Sequence, residues 1–562
     1  MVKNNLHFYI LKNVKNKFLL FFLLLVASIS EFIGLSLLYP IINLLFEIES
    51  SIEAPLIKYV YNFFDFLNIT KDKFNLISFF CFIIFIKAIL LILYKYFCTF
   101  STLEFMNNFR KKIFKKFFKS RYVLLVDKKS EISNAISIQS DLAQSAMQIQ
   151  FNLFENIFII FTLIILLTLL SLKVLIVSLI ISLIFIFFFL FTFKISRKLA
   201  KNLADKNRNL FNLIDKTTLN IKYLKISMIY KSFYDQMINV FENIKTTTLK
   251  FILMNRGTKL LIEPMLVLNL SIIFFISTMI LNVSFEIIII IYIILARLIQ
   301  KSLGLISLLQ EYFKDLVSVK YCMNLINQLD ENRDYEGHLK VDKFNSISLE
   351  NITFGYNNED IILNSVSLNI NKNSLTTIFG PSGSGKTTIS NILLGLIQPT
   401  IGKVLINGNE LKNYDLNTFW QSVGYISQDS TIYNLTLREN LKLRNNKISD
   451  DTLYKYLNEY GLNKIGASDK INLDMKIDES SSNLSNGEKQ RICLIREILA
   501  KPELLILDEF TSSLDNKNIQ NIIKIIKKLK FHTTIFIITH QEEYKKISDK
   551  IYYLNNSKIS FD

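Results

Sequence analysis

Long apolar stretches alternate with polar segments over roughly the first 330 residues of the chain. Six of these stretches are long enough to be membrane-spanning helices, because a helix needs about 20 apolar residues to cross the hydrocarbon core. The first is too long for a signal-peptide core, and no small-residue cleavage site follows it, so we expect it to remain as a helix. The predicted spans lie at about 18-46, 74-98, 151-172, 174-195, 251-281 and 284-305.

Two polar segments, 99-150 and 196-250, separate these spans and keep a helical pattern of apolar residues. They are too polar for lipid and are predicted to extend the membrane helices into the cytoplasm. The basic run from Arg110 to Arg121 and the N-terminal lysines place both segments and both chain termini on the cytoplasmic side. Binding of the basic run to anionic lipid is the alternative.

The loop after the first span predicts an amphipathic helix lying on the outer membrane surface. A helix packed against the protein itself fits the same pattern equally well. The apolar residues at helical spacing in this loop are Ile52, Leu56, Val60, Phe63, Phe64 and Leu67.

The chain changes character after about Glu331, where short β-rich runs, glycine turns and amphipathic helices begin. We therefore expect an α-helical, polytopic membrane domain at 1-330, a linker at 331-346 and an α/β domain at 347-562. The net charge of +17 is spread along the chain beside apolar segments. This distribution indicates membrane topology, so no nucleic-acid partner is expected.

A glycine-rich motif, GPSGSGKTT, follows a β-rich run and precedes a helical pattern, the setting required of a phosphate-binding loop. Its glycines let backbone N–H groups face phosphates, and the following helix adds its dipole. We expect Lys386 to reach the β and γ phosphates of ATP and Thr387 to hold Mg²⁺. The candidate ATP ligands are Gly380, Pro381, Ser382, Gly383, Ser384, Gly385, Lys386, Thr387 and Thr388.

A second motif, LLILDEF, is an apolar strand that ends in two acids. Asp508 is suited to holding Mg²⁺ through water, and Glu509 is suited to polarising the attacking water. In isolation the acidic pair would indicate only a turn. Combined with the phosphate loop, it predicts ATP hydrolysis.

With these motifs the chain resembles the type I exporter half-transporters of the ATP-binding cassette (ABC) family over nearly all of its length. The resemblance implies that Tyr356 stacks on adenine and that Gln428 senses the γ-phosphate and contacts Mg²⁺. It also implies that His540 contacts the γ-phosphate and takes part in catalysis with Gln428 and Glu509. Residues 512-515 resemble the family's D-loop, and 130-138 and 218-228 resemble its coupling helices.

The run from Leu484 to Arg491 resembles the family's signature motif, which caps the ATP held by the opposite subunit. Its candidate contacts are Ser485, Asn486, Gly487 and Glu488. Asn486 stands where a second glycine is usual, and because Asn tolerates left-handed backbone angles better than most residues, we expect the loop still to form. The retained Glu509 favours a homodimer, while Asn486 leaves a heterodimer open.

Several basic residues lie within the predicted spans, where a charge costs at least roughly 2.5 kcal/mol, and four of them are candidates for a functional role. Arg297 and Lys301 are four residues apart and so share one helix face. We predict a cationic cavity that binds an anionic substrate. Internal ion pairs with Glu31 and Glu263, or snorkelling to an interface, are the alternative. The candidate substrate residues are Lys87, Arg256, Arg297 and Lys301.

Within the family, the membrane spans most resemble the bacterial lipid-linked oligosaccharide flippases. The resembling segments are 30-45, 261-266 and 296-312, together with the cation in the middle of the second span. The resemblance implies ATP-driven movement of an anionic glycolipid, in contact with membrane lipids, from the cytoplasmic to the outer side of a bacterial inner membrane. Peptide or bacteriocin export and multidrug export are the alternatives.

Overall fold

The computed structural model divides the chain into two compact units. The first comprises Met1–Phe118 and Lys128–Glu331, and the second comprises Lys119–Asp127 and Asn332–Asp562. The residues that the structure describes are 6–46, 62, 64–66, 70, 72–280, 285–334, 337–341, 343–356, 361–428, 431–465, 471–477, 484–511 and 516–561.

The first unit is helical throughout its described residues. Its long helices are α2 (Lys17–Phe46), α3 (Lys73–Phe117), α6 (Ser140–Leu170), α7 (Leu172–Leu219), α9 (Tyr230–Met279) and α10 (Phe285–Glu331). Shorter elements are α1 (Leu6–Lys12), α5 (Lys129–Asn134), a π-helical turn (Ala135–Gln139) and α8 (Ile221–Ile226). One further short helix, α4 (Tyr122–Asp127), belongs to the second unit.

Each predicted span lies in one of the six long helices. Helices α3 and α7 continue well past their spans, and α9 begins before its span, which confirms that the polar segments extend the membrane helices. Within the described residues, four helical stretches are long and apolar enough to cross a membrane: Lys17–Ile42, Lys73–Phe117, Lys129–Leu170 and Ile287–Glu331. Helices α7 and α9 contribute shorter apolar stretches, Leu172–Ile181 and Val267–Met279.

A buried apolar cluster joins α2, α6, α7, α9 and α10, so the spans pack on one another through their aliphatic side chains. Helices α2 and α3 approach closely at Gly34, where a Cβ would lie 3.7 Å from Cγ2 of Ile83. A small residue at such a crossing lets two backbones come together.

Most of the predicted surface helix after the first span lies outside the described residues, including Ile52, Leu56, Val60, Phe63 and Leu67. Phe64 is described, and its side chain is fully buried. It packs edge-to-face on Phe79, with ring centroids 5.3 Å apart, and joins a cluster with Leu37 and Leu76. At this residue the alternative of packing against the protein itself is correct.

The second unit contains a six-stranded sheet in the order β12-β11-β3-β10-β9-β6. Five of these strands are parallel, and β12 pairs antiparallel to β11 at the edge. The strands are β3 (Leu375–Phe379), β6 (Val423–Ile426), β9 (Leu504–Asp508), β10 (Thr534–Ile538), β11 (Lys550–Asn555) and β12 (Lys558–Phe561).

A four-stranded antiparallel sheet has the order β2-β1-β4-β5, and β7 pairs with β8. These strands are β1 (Ser346–Phe354), β2 (Leu363–Asn371), β4 (Ile401–Ile406), β5 (Asn409–Glu410), β7 (Leu435–Thr436) and β8 (Lys476–Ile477). The α-helices of the unit's C-terminal part are α11 (Lys386–Leu393), α12 (Leu416–Ser422), α13 (Leu437–Lys442), α14 (Asp450–Glu459), α15 (Asn486–Leu499) and α16 (Asn516–Leu529).

Alternate residues of the central parallel strands face two separate cores. Leu505 and Leu507 of β9 pack in one core with α15, whereas Leu504 and Ile506 pack in the other with α11 and the antiparallel sheet. A strand that is buried on both faces is continuously apolar, as β9 and β10 are. The two cores hold the strand ends rigidly at one edge of the sheet, where the polar residues follow.

The segment 119–127 lies between α3 and α5 in the chain but is bound to residues that follow α10. The backbone N–H of Arg121 donates to the carbonyl of Asn332 (2.9 Å), and the N–H of Asp334 donates to the carbonyl of Lys119 (2.9 Å). Residues 130-138, in which sequence analysis places one coupling helix, lie in the first unit.

Gly402 provides a test of the antiparallel sheet. Its φ is +94°, and a Cβ there would lie 2.5 Å from the carbonyl oxygens of Glu350 and Asn351. We expect Gly402→Ala to lower the thermal midpoint of this unit by at least about 4 °C. Emission of Trp420, the one tryptophan in the sequence, follows unfolding of this unit because its indole N–H is bonded to the carbonyl of Leu394.

Gly408→Ala is the matched control. Gly408 also has a positive φ (+83°), but nothing lies within 4 Å of the position that a Cβ would occupy there. The two variants therefore share the backbone strain and differ in the steric clash. Equal midpoints for the two variants would contradict the close approach of β4 to β1.

Candidate functional site

The predicted phosphate loop joins β3 to α11. Gly383 and Gly385 have φ of +81° and +100°, left-handed angles that favour glycine. A Cβ on Gly385 would also lie 2.8 Å from Cγ2 of Ile362. The N-terminus of α11 follows directly, so its free N–H groups and its dipole lie at the loop.

The side chain of Lys386 is enclosed by this loop. It is 4% exposed, and its Nζ donates to the carbonyl oxygens of Gly380 (2.9 Å) and Pro381 (2.8 Å). Nζ also lies 3.4 Å from Oε1 of Glu509. Thus the loop lysine and the second acid of the LLILDEF motif form an ion pair, although they are distant in the sequence.

The rest of the loop offers polar groups at its surface. Pro381, Ser382, Gly383 and Thr387 are exposed, whereas Thr388 is buried. The buried Oγ of Ser384 has no hydrogen-bond partner among the described residues. An unpaired buried hydroxyl is unfavourable unless a ligand completes its bonding, so this atom fits a phosphate oxygen.

Asp508 is the last residue of β9. It lies level with the end of β3, the strand that leads to the loop. Asp508 pairs with Ile538 of β10, which in turn pairs with Ile378 of β3. The next residue, Glu509, has a φ of +47°, and its N–H donates to the carbonyl of Ile538 (2.9 Å). This strained angle turns Glu509 out of the strand toward Lys386.

The residues around Asp508 suit a hard cation. Asp508 is 3% exposed, and its Oδ1 has no hydrogen-bond partner among the described residues. Burial raises the pKa of Asp508, the nearby charge of Glu509 raises it further, and the Thr387 hydroxyl favours the charged form. Carboxylate and hydroxyl oxygens are ligands that Mg²⁺ prefers, so Asp508 and Thr387 fit that metal.

Two more candidate residues lie at the carboxyl edge of the same parallel strands. Gln428 follows β6 and His540 follows β10, and both side chains are exposed. Open α/β sheets bind ligands at the carboxyl ends of their strands. Tyr356 follows β1 of the other sheet. Its exposed ring stands edge-to-face to Phe354 with centroids 5.1 Å apart.

Sequence reasoning missed Gln541, which connects two loops of the site. Its Oε1 accepts a hydrogen bond from the Thr511 hydroxyl (2.9 Å), and its Nε2 donates to the Thr511 carbonyl (3.3 Å). Gln541 follows His540, and Thr511 comes two residues after Glu509. The pairing therefore holds the backbone after the catalytic acid against the backbone after the histidine.

The signature residues form a helix N-terminus. Ser485 caps α15, and Glu488 completes a capping box: the backbone N–H of Ser485 donates to Oε2 of Glu488 (2.7 Å), and the N–H of Glu488 donates to Oγ of Ser485 (3.3 Å). Asn486 is the first residue of α15 and has no left-handed angle, so its tolerance of such angles is not needed here. The helix begins there because Ser485 supplies the cap. The predicted D-loop, 512-515, lies outside the described residues.

The membrane unit brings two of its four candidate cations to one carboxylate. Lys87 Nζ lies 3.0 Å from Oε2 of Glu31, and Arg297 Nη2 lies 3.0 Å from Oε1 of the same carboxylate. Lys301 follows Arg297 by four residues on α10, about one helical turn. The internal ion pairs considered from the sequence therefore exist for Lys87 and Arg297.

Arg256 does not join this cluster. Its side chain is exposed on α9 and makes no ion pair among the described side chains. The side chain of Glu263, the other predicted counter-charge, lies outside the described residues.

Comparison with known proteins identifies the family of the second unit. A family model described as "ABC transporter" matches residues 363–512. A putative ABC transporter ATP-binding protein of Clostridium acetobutylicum is 34% identical over 223 residues, which cover 38% of this chain and 77% of that protein. The microcin-J25 export ATP-binding/permease protein of Escherichia coli is 33% identical over 221 residues, or 39% of this chain and 38% of that protein.

The matched part of the chain thus spans under half of the length of the ATP-binding/permease relatives. A solved structure titled as a bacterial Atm1-family ABC exporter with ATP bound has the same fold. The likeness has a TM-score of 0.76 at 17% identity and covers 97% of this chain and 94% of that one. An α-helical membrane domain followed by an α/β nucleotide-binding domain is therefore the fold of both proteins.

The capping box yields a prediction for α15. Ser485→Ala removes the cap, and we expect it to destabilise the second unit by about 1 kcal/mol. Glu488→Gln keeps an oxygen that accepts a hydrogen bond from the Ser485 N–H. This variant should therefore lower the free energy of unfolding by less than about 0.5 kcal/mol. The unfolding midpoint followed by Trp420 emission in urea measures both. Equal losses for the two variants would contradict the capping geometry.

Proposed function

The chain belongs to the ABC transporter family, and on that premise we propose that it is an ATP-driven exporter of an anionic amphiphile. The proposal places it as a multi-pass protein of a bacterial inner membrane with both termini in the cytoplasm. The observation that carries the ATP-dependent part is the Lys386–Glu509 ion pair beside the buried Asp508.

We infer that ATP binds with its β and γ phosphates in the loop of Gly380 to Thr388 and its adenine on Tyr356. The phosphates would replace Glu509 as the counter-charge of Lys386, because a multivalent oxyanion pairs more strongly with a buried ammonium group. Glu509 would then be free to polarise the attacking water. Gln428 and His540, at the same sheet edge, would contact the γ-phosphate.

Mg²⁺ is part of this proposal, held by Thr387, Asp508 and Gln428. When bound, it would neutralise charge on the phosphate oxygens. The protein's own contribution is the rigid position of Asp508, which β10 holds in register with the strand before the loop.

The working unit would be a homodimer in which Ser485, Asn486, Gly487 and Glu488 of one subunit cap the ATP of the other. The chain retains Glu509, so each of its two sites would be competent for hydrolysis. A heterodimer is the alternative. In support of the homodimer, Asn486 begins a helix, a backbone conformation that does not require glycine.

For the substrate we propose a lipid-linked oligosaccharide or a related glycolipid with a phosphate headgroup. The supporting observation is the excess of positive charge in the membrane cluster, where Lys87 and Arg297 share one acid of the described residues, Glu31. Peptide export is the second candidate, since a relative is named for export of microcin J25. A multidrug exporter would be expected to lack such a charged cluster.

ATPase activity in lipid tests the catalytic assignment. Wild-type protein should hydrolyse ATP faster when a polyprenyl-pyrophosphate glycan is added. Glu509→Gln should lower the rate by about 10² to 10⁴-fold, the range for loss of a general base, and should not respond to the glycolipid. Nucleotide binding should persist in this variant, because Gln cannot pair with Lys386 as an acid does.

Each alternative has its own outcome. A wild-type rate no higher than that of Glu509→Gln, even with the glycolipid, would contradict a competent homodimer and favour a heterodimer. A wild-type ATPase rate that does not change with the glycolipid but rises with a cationic or neutral peptide would contradict the proposed glycolipid substrate and favour peptide export.

The metal assignment has a separate test that does not depend on turnover. We expect Mg²⁺ to tighten binding of a fluorescent ATP analogue to the wild type and to have no effect on Asp508→Asn. Affinity in EDTA should be similar for both proteins, since Lys386 and the loop remain. Glu509→Gln is the control that should keep the Mg²⁺ dependence. An unchanged Mg²⁺ dependence in Asp508→Asn would contradict the assignment.

A further inference from the structure

The ion cluster of the membrane unit supports an inference about substrate selectivity. We propose that Glu31 is an internal counter-ion that competes with the anionic substrate for Lys87 and Arg297. The inference rests on the proposed function, because it requires these cations to bind the substrate. An anionic substrate must then displace a carboxylate, a cost that a headgroup with two or more negative charges offsets better than a single carboxylate because it pairs more strongly with the two cations.

The geometry makes Glu31 a replaceable partner. Each carboxylate oxygen lies 3.0 Å from one cation, Oε2 from Lys87 and Oε1 from Arg297. Apart from these two cations, neither oxygen has a hydrogen-bond donor among the described residues. The carboxylate is therefore held by the two cations that a substrate anion would also bind. A phosphate oxyanion can orient toward both cations and gain directional hydrogen bonds as well.

The surroundings give Glu31 no other described partner. It lies on α2 three residues before Gly34, where α2 packs against α3 at Ile83. The hydroxyl groups of Ser28 and Ser30 donate to backbone carbonyls of their own helix, those of Leu25 (2.8 Å) and Val26 (2.9 Å). A buried carboxylate in such a place is stable only beside cations.

Exposure differs between the two sides of the cluster. The Glu31 side chain is 2% exposed, whereas Lys87 is 16% and Arg297 is 38% exposed. The acid is thus more enclosed than the two cations, and both cations keep accessible area beside it. Among the described residues two bases share this one carboxylate, so their charge is only partly neutralised.

Equilibrium binding to the full-length protein in phosphatidylcholine nanodiscs tests the proposal. The probes share one tail and differ in headgroup charge: farnesyl pyrophosphate, farnesoic acid and farnesol. Saturating Mg·ADP fills the phosphate loop, so that pyrophosphate cannot bind there. We expect the wild type to bind farnesyl pyrophosphate best. Glu31→Gln should tighten binding of both anions roughly tenfold and leave farnesol unchanged.

Two variants serve as controls. Glu31→Asp keeps the competing charge and should behave like the wild type toward farnesoic acid. Glu155→Gln removes a different acid of the membrane unit, one paired with Lys95, and should change nothing. If Glu31→Gln gives too little folded protein, Lys87→Met is compared with Lys87→Met/Glu31→Gln. The double variant should bind the anions more tightly through Arg297.

The outcomes separate this proposal from the proposed function. If the wild type prefers farnesyl pyrophosphate but Glu31→Gln binds it no more tightly, Glu31 is not a competitor, and the anionic substrate stands. If neither the wild type nor any variant binds an anion more tightly than farnesol, the proposed anionic substrate and the proposed role of Glu31 are both wrong. A tenfold gain that also appears in Glu155→Gln would indicate a general effect of charge and overturn the specific role.

Discussion

The ammonium group of Lys386 is buried, and a buried charge is stable only when it is paired and hydrogen-bonded. Two loop carbonyls and the carboxylate of Glu509 supply these partners. The loop, the end of β3 and the end of β9 must therefore all be in place for the lysine to be accommodated. The six-stranded sheet provides this by aligning Ile378, Ile538 and Asp508 across three neighbouring strands. The nucleotide site is thus a consequence of sheet register.

The membrane unit obeys the same constraint with the signs reversed. Here the enclosed group is an acid, Glu31, and its partners Lys87 and Arg297 come from two other helices. Removing one member of such a group leaves an uncompensated buried charge, which is strongly destabilising. The cluster therefore joins α2, α3 and α10 more specifically than their aliphatic contacts do, because leucine and isoleucine tolerate small shifts of one helix along another.

The nucleotide site could be predicted from the sequence because its chemistry is local. The loop residues are contiguous, and parallel strands bring their carboxyl ends to one edge of the sheet. The left-handed angle considered for Asn486 is not used, and the Ser485–Glu488 spacing is itself a capping signal. The ion pairs of Glu31 were one of two alternatives from the sequence, and the pattern could not decide between them because the pairing depends on how three distant helices are rotated. The helical pattern alone allowed Glu263 to be the counter-charge of the cations as readily as Glu31.

The two ion pairs differ in how far the acid is enclosed, and this difference bears on what each acid can do. The Glu509 side chain is 22% exposed, so water can reach it once an anion has taken its place beside Lys386. Glu31 is almost fully enclosed and has no comparable access to water. An acid released at the nucleotide site can therefore act on a reactant, whereas an acid displaced in the membrane can only return to its cations. The Lys386–Glu509 pair is therefore suited to catalysis, and the pairing of Glu31 with its cations is suited to substrate selection.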